Sequence, residues 1–141
     1  MSSFIRVPAG AIVLTASMAL AASSARASGV DVTVPFSFVV SAETLPPGAY
    51  HISVEAQQGK MEVRGFDQAA FVLTNHVSVP QGAHAKLVFH KYGEEYVLRE
   101  VWTGNGVENE LPKPRREKEL TQSARNGGAT GVPTLVVIAV D

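Results

Sequence analysis

The chain has 141 residues, 45% hydrophobic and 18% charged, enough for one domain with a core and too few for two. It has no cysteine, which excludes disulfides, thiolate metal sites, a cysteine nucleophile and lipid attachment through an N-terminal cysteine. The formal net charge is −1, whereas binding to phosphates is driven by clustered positive charge, so nucleic acid is not an expected partner.

Residues 1–27 have the pattern of an export signal. Arg6 gives a short positive region, Val7 to Ala22 is apolar, and Ala25-Arg26-Ala27 supplies small residues at the two positions a signal peptidase recognises. Pro8 and Gly10 interrupt the apolar run, which favours a cleaved leader over a retained anchor. Cleavage after Ala27 leaves a mature domain, 28–141, with 10 basic and 13 acidic residues and a formal charge of −3. A secreted or periplasmic location is the expectation. No membrane span is expected afterwards, because the longest later apolar run, Val132 to Val140, has 9 residues where a helical span needs ~20.

Val30 to Val40 alternates with period two: Val30, Val32, Val34, Phe36, Phe38 and Val40 on one face, Asp31, Thr33, Pro35 and Ser37 on the other. Pro35 cannot donate a ladder hydrogen bond, so the strand belongs at an edge or carries a bulge there. Leu45-Pro46-Pro47-Gly48 is a turn, and Tyr50, Ile52 and Val54 alternate through a second strand, Ala49 to Glu55. Gln57-Gln58-Gly59-Lys60 turns the chain into two short candidate strands, Met61 to Arg64 and Ala70 to Thr74.

The centre is Ala83 to Thr103, two runs rich in β-branched and aromatic residues about the turn Tyr92-Gly93-Glu94-Glu95. An even-numbered loop sets Lys91 opposite Tyr96, Phe89 opposite Leu98 and Ala85 opposite Trp102. Glu100 then falls opposite Leu87, which leaves a one-residue slip of register open. Gly104-Asn105-Gly106 turns again, and Leu111 to Arg125 changes character. Pro114 at a first helical position, the Arg115/Glu119 pair and the stop at Gly127-Gly128 predict a short surface helix bearing the one locally positive patch. Val132 to Val140 is nearly continuously apolar, as in a strand buried on both sides or closing the core. The fold class that follows is all-β: a β-sandwich or small barrel of about seven short strands with one late surface helix.

Chemistry is sparse. His51, His76, His84 and His90 show no HxH or HExxH spacing, and His84 and His90 are six residues apart on one predicted strand, ~20 Å by the strand rise, so no metal or other cofactor is assigned. There is no GxSxG elbow, and the acid pairs Glu94/Glu95 and Glu108/Glu110 fit solvated turns better than catalytic carboxylates, one of which must be buried to raise its pKa. No catalytic residue is assigned. Tyr92, Tyr96 and Trp102 form the candidate surface for an unidentified protein or carbohydrate partner, with Arg115 and Arg116 on the positive helix. Core filling competes with that reading for the aromatics, and a solvated face for the arginines.

LPPGAYHI from Leu45, KLVFHKYGEEYVLREVWTGNG from Lys86 and LPKPRREKEL from Leu111 together resemble a group of small exported proteins of acidobacterial type. The matching positions are Leu45, Pro46, Gly48 and Tyr50, then Phe89, Tyr92, Gly93 and Trp102, then Leu111, Pro112, Arg116 and Glu117. The resemblance implies a secreted or periplasmic β domain and carries over no catalytic residue. A non-catalytic binding or envelope-associated module is the function expected. A small secreted hydrolase or metal-dependent enzyme is the alternative.

Overall fold

The computed structural model describes residues 28–55, 57–128 and 131–140; the expected leader, 1–27, lies outside them. The described residues form eleven strands and one helix, in two antiparallel-dominated sheets that enclose a common core. The count exceeds the expected seven by four: three strands, of three or four residues each, are too short or too polar to show a period, and the first expected strand is divided in two.

Strand β1 (Ser28–Val34) buries Val30, Val32 and Val34 and exposes Asp31 and Thr33. The expected run to Val40 is not one strand. It breaks at Pro35, and the chain resumes as β2 (Phe38–Val40) in the other sheet. The core-facing alternation survives the crossing, since Phe36, Phe38 and Val40 all pack on the core. A two-residue loop then leads into β3 (Glu43–Leu45), with Ser41 in the left-handed region at φ 54°.

Strands β4 (Gly48–Glu55), β5 (Lys60–Arg64) and β6 (Ala69–Leu73) fall where alternation set them and join β1 in the order β1-β4-β5-β6. As Pro35 required, β1 is an edge strand. The second sheet runs β11-β8-β9-β10-β7, from β7 (Asn75–Ser78), β8 (Lys86–Tyr92), β9 (Glu95–Trp102), β10 (Val107–Glu110) and β11 (Thr134–Ala139). Strand β9 bonds β8 along one edge. Its other edge is shared, with β2 parallel at Tyr96 and Val97 and β10 antiparallel at Glu100 to Trp102.

The central hairpin reconciles both register expectations. Lys91 faces Tyr96 and Phe89 faces Leu98, but beyond them the ladder shifts by one, so Leu87 meets Val101 and Lys86 meets Trp102. Arg99 is the extra residue of a β-bulge. Without the bulge, Glu100 would lie opposite the fully buried Leu87; with it, Leu98 and Val101 both reach the core and Arg99 leaves on the outer face.

Aromatic rings join the layers: Phe38 of the second sheet meets Tyr50 of the first edge to face at 5.1 Å, and Phe89 of β8 at 5.6 Å. Two expectations are corrected in part. Of the two alternatives for the last strand, β11 closes the core rather than being buried on both sides: it is an edge strand whose Val136 and Ile138 pack on the core, while Leu135 and Val137 are 62% and 54% exposed. The helix α1 (Arg115–Asn126) lies at the surface as expected, but it is not wholly solvated: it packs on the outer face of β8 and buries Glu117 and Thr121.

Candidate functional site

The densest cluster of titratable groups lies between α1 and the outer face of the hairpin. Pro114 opens the helix and Glu117 follows within its first turn, a position that favours an acid through the helix dipole. Alternation along β8 turns His90 and Tyr92 to this face, and the bulge aims Arg99 at it. Glu117 is fully buried. Its Oε1 accepts from His90 Nδ1 at 2.8 Å and from the Tyr92 hydroxyl at 2.9 Å, and its Oε2 accepts from Arg99 Nη1 at 2.7 Å. A carboxylate only accepts, so His90 carries its hydrogen on Nδ1. Arg99 Nε also donates to the Leu111 carbonyl at 3.1 Å, tying the cluster to the segment before the helix. The Thr121 hydroxyl donates to the Glu117 carbonyl at 2.9 Å and lies 3.3 Å from the Tyr92 oxygen.

Burial pushes the Glu117 carboxyl up, but the donors from Arg99, Tyr92 and His90 outweigh it and hold the group below the usual glutamate range. Burial foremost, with the Glu117 carboxylate adding to it against Thr121 and Arg99, raises Tyr92 above the ordinary phenol value. A carboxylate with three short bonds, sealed from water and held ionised, is poorly suited to accept or deliver a proton in a reaction. What this arrangement does well is fasten a helix to a sheet.

The residues expected to form a partner surface come together only in part: Tyr96 and Arg116 line one hollow at the hairpin turn and Arg115 and Arg116 another, while Trp102 stands apart. Tyr92 is spent on Glu117. Tyr96 stacks on Phe36 at 3.7 Å, with the Lys91 ammonium 5.3 Å from its ring. Trp102 lies at the far end of β9, ~20 Å from Tyr96 by the strand rise; its indole donates to Glu100, and Lys86 Nζ sits 4.1 Å over its ring. Arg115 is exposed beside Glu119, and Arg116 holds Glu95 at the hairpin turn through Nε at 2.8 Å and a second bond from Nη2. That pair holds the Glu95 carboxyl below its ordinary value.

The uncovered outer face of the first sheet offers a different arrangement. Register places Asp31, His51 and Arg64 side by side on β1, β4 and β5. His51 Nδ1 meets Asp31 Oδ1 at 2.7 Å, and Arg64 pairs with Glu62. The His51 ring lies so close over Gly29 that a Cβ there would fall 2.9 Å from its Cε1. Beside this row, the Phe66 ring stands free of the fold, and the residues border an open hollow of about 520 Å³. No sequence signal marks this row: His51 stands among four unclustered histidines, Asp31 and Arg64 are ordinary outward residues, and only strand order makes the three neighbours. Glu117 and Arg99 escaped for the same reason. Among the described residues no group of three or more acids and histidines is arranged to hold a metal, and no helix is long and apolar enough to cross a membrane. Comparison with family models, curated proteins and solved structures finds no match to this chain.

Proposed function

We propose that this chain is an exported, non-catalytic binding module of the cell envelope that takes a carbohydrate on the open face of its first sheet. The observation that carries this reading is the row Asp31, His51 and Arg64 beside the free Phe66 ring. A carboxylate, an imidazole and a guanidinium in line offer acceptors and donors to successive hydroxyls, and a phenyl ring offers a flat apolar surface to a sugar ring. The saturated state of Glu117 supports a structural rather than a catalytic use of the other polar cluster, which weighs against the hydrolase or metal-enzyme alternative.

Amide shifts of the mature domain, followed by NMR while envelope glycan fragments are added, test the site. Perturbation centred on Asp31, His51, Arg64 and Phe66, abolished by Phe66→Ala and by His51→Ala, is the expected result. Perturbation elsewhere, or none, ends the proposal. Intact mass of the protein recovered from an envelope fraction tests export separately, with a chain starting at Ser28 expected and a retained leader refuting it.

A further inference from the structure

Among the described residues, strand β11 is an unpaired sheet edge with an apolar outer face. The Val140 amide donates to the Ala85 carbonyl at 3.0 Å, so by the alternation of an antiparallel ladder Ile138 and Val136 also turn their backbone groups toward β8. Leu135, Val137 and Ala139 then direct their N–H and C=O groups away from the sheet. The same three residues carry their side chains on the outer face, where Val137 neighbours the buried Val88 and Leu135 neighbours His90. The helix α1 packs on β8, and Leu135 and Val137 on the same face of β11 stay exposed, so an apolar surface continues outward into the open.

The other edges are guarded or unsuited to pair with themselves. Strand β1 carries Asp31 and is followed by Pro35, β3 has only three residues, carries Glu43 and is followed by Pro46 and Pro47, and β7 is polar. Strand β6 exposes Phe71, but Lys60 Nζ lies 4.8 Å from that ring, and a β6 edge meeting its own copy would bring two ammonium groups together. Between Gly131 and Val140 there is no charge at all.

From this we infer that β11 is a self-association edge, whose partner is a second copy of this chain pairing antiparallel about a two-fold axis at Val137. Leu135 then faces Ala139 of the other copy, and the three outward residues on each strand exchange about six backbone hydrogen bonds. The four Leu135 and Val137 side chains form one apolar row, flanked by the two α1 helices. A ladder ~20 Å long with one apolar row buries less than the ~1,600 Å² of a standard stable interface, so the dimer is a reversible one.

Sedimentation equilibrium of the mature domain across micromolar concentrations tests this. The native chain is expected to be dimeric at the upper end. Val137→Lys and Val137→Glu, each placing like charges opposite one another, should weaken association about tenfold or more with unchanged circular dichroism. Mixing the two variants should restore the dimer, because only a two-fold axis at this residue sets lysine against glutamate. Phe71→Lys, on the competing edge, should leave association as it is. A native chain that stays monomeric, variants that dimerise normally, a mixture that does not recover, or a dimer lost on Phe71→Lys would each overturn the inference. The sugar-binding face lies on the other sheet, so its success or failure is read independently.

Discussion

Glu117 belongs to a helix whose other acids and bases stay in water, yet it is the residue on which the attachment of that helix depends. Two charges withdrawn from water repay their desolvation only when geometry is good and the remaining lone pairs are filled, and here Arg99, His90 and Tyr92 fill them. Removing one partner strands the other. Glu117→Gln is therefore expected to cost about 3 kcal/mol in urea unfolding, with Arg99→Met comparable. The double variant should cost less than the sum of the singles by about 2 kcal/mol, since the two residues act as one unit. Strict additivity would show that the pair is not coupled. None of this is visible at the residue alone: an acid near a helix start is explained well enough by the dipole, and an arginine in a strand by exposure.

At the level of elements, the hairpin shows how a local irregularity serves distant packing. The bulge at Arg99 keeps Glu100 out of the position opposite Leu87 and at the same time points the guanidinium at α1. The loop between β2 and β3 is less well matched. Ser41 sits at φ 54° in a two-residue turn, a conformation that costs an ordinary residue about 1 kcal/mol and glycine nothing sterically. Glycine's greater freedom in the unfolded chain returns roughly half of that. Ser41→Gly is expected to stabilise by about 0.5 kcal/mol and Ser41→Val to destabilise, as measured by the midpoint of denaturant unfolding.

For the whole molecule, the sign of each shifted carboxyl sets the response to acid. Glu117 and Glu95 have folded-state pKa values below their unfolded ones, so they bind fewer protons folded than unfolded through that interval. Their contribution is complete above the ordinary glutamate range and disappears as the pH falls through the lowered values. Glu108 has the opposite sign: burial first, then Glu100 and Glu110 nearby, raise it, so it favours the fold while protonated and opposes it once ionised. Stability measured against pH should fall on the acid side of the glutamate range, with a shallower fall in Glu117→Gln. Glu108→Gln should raise stability at neutral pH and leave it unchanged in acid. The reverse pattern would mean that the carboxylates tying α1 to the hairpin do not carry the acid limb.

Period-two alternation set the core-facing residues of β1 and β4, because each buries one face, while turn signals and β-branched composition placed β5, β6 and the hairpin, whose runs are too short or too mixed for the period alone to decide. Proline and glycine set the helix limits and the turns, since their backbone constraints act within a few residues. Everything that depends on which strand lies beside which had to wait for the fold. Polar β7 and β10 become strands by pairing with each other, and β11, whose composition suits a buried strand, lies at the edge of the described sheet, beside β8 alone. Asp31, His51 and Arg64 share a row, and Glu117 meets Arg99, for the same reason: registry between segments twenty residues apart is settled by the packing of two whole sheets.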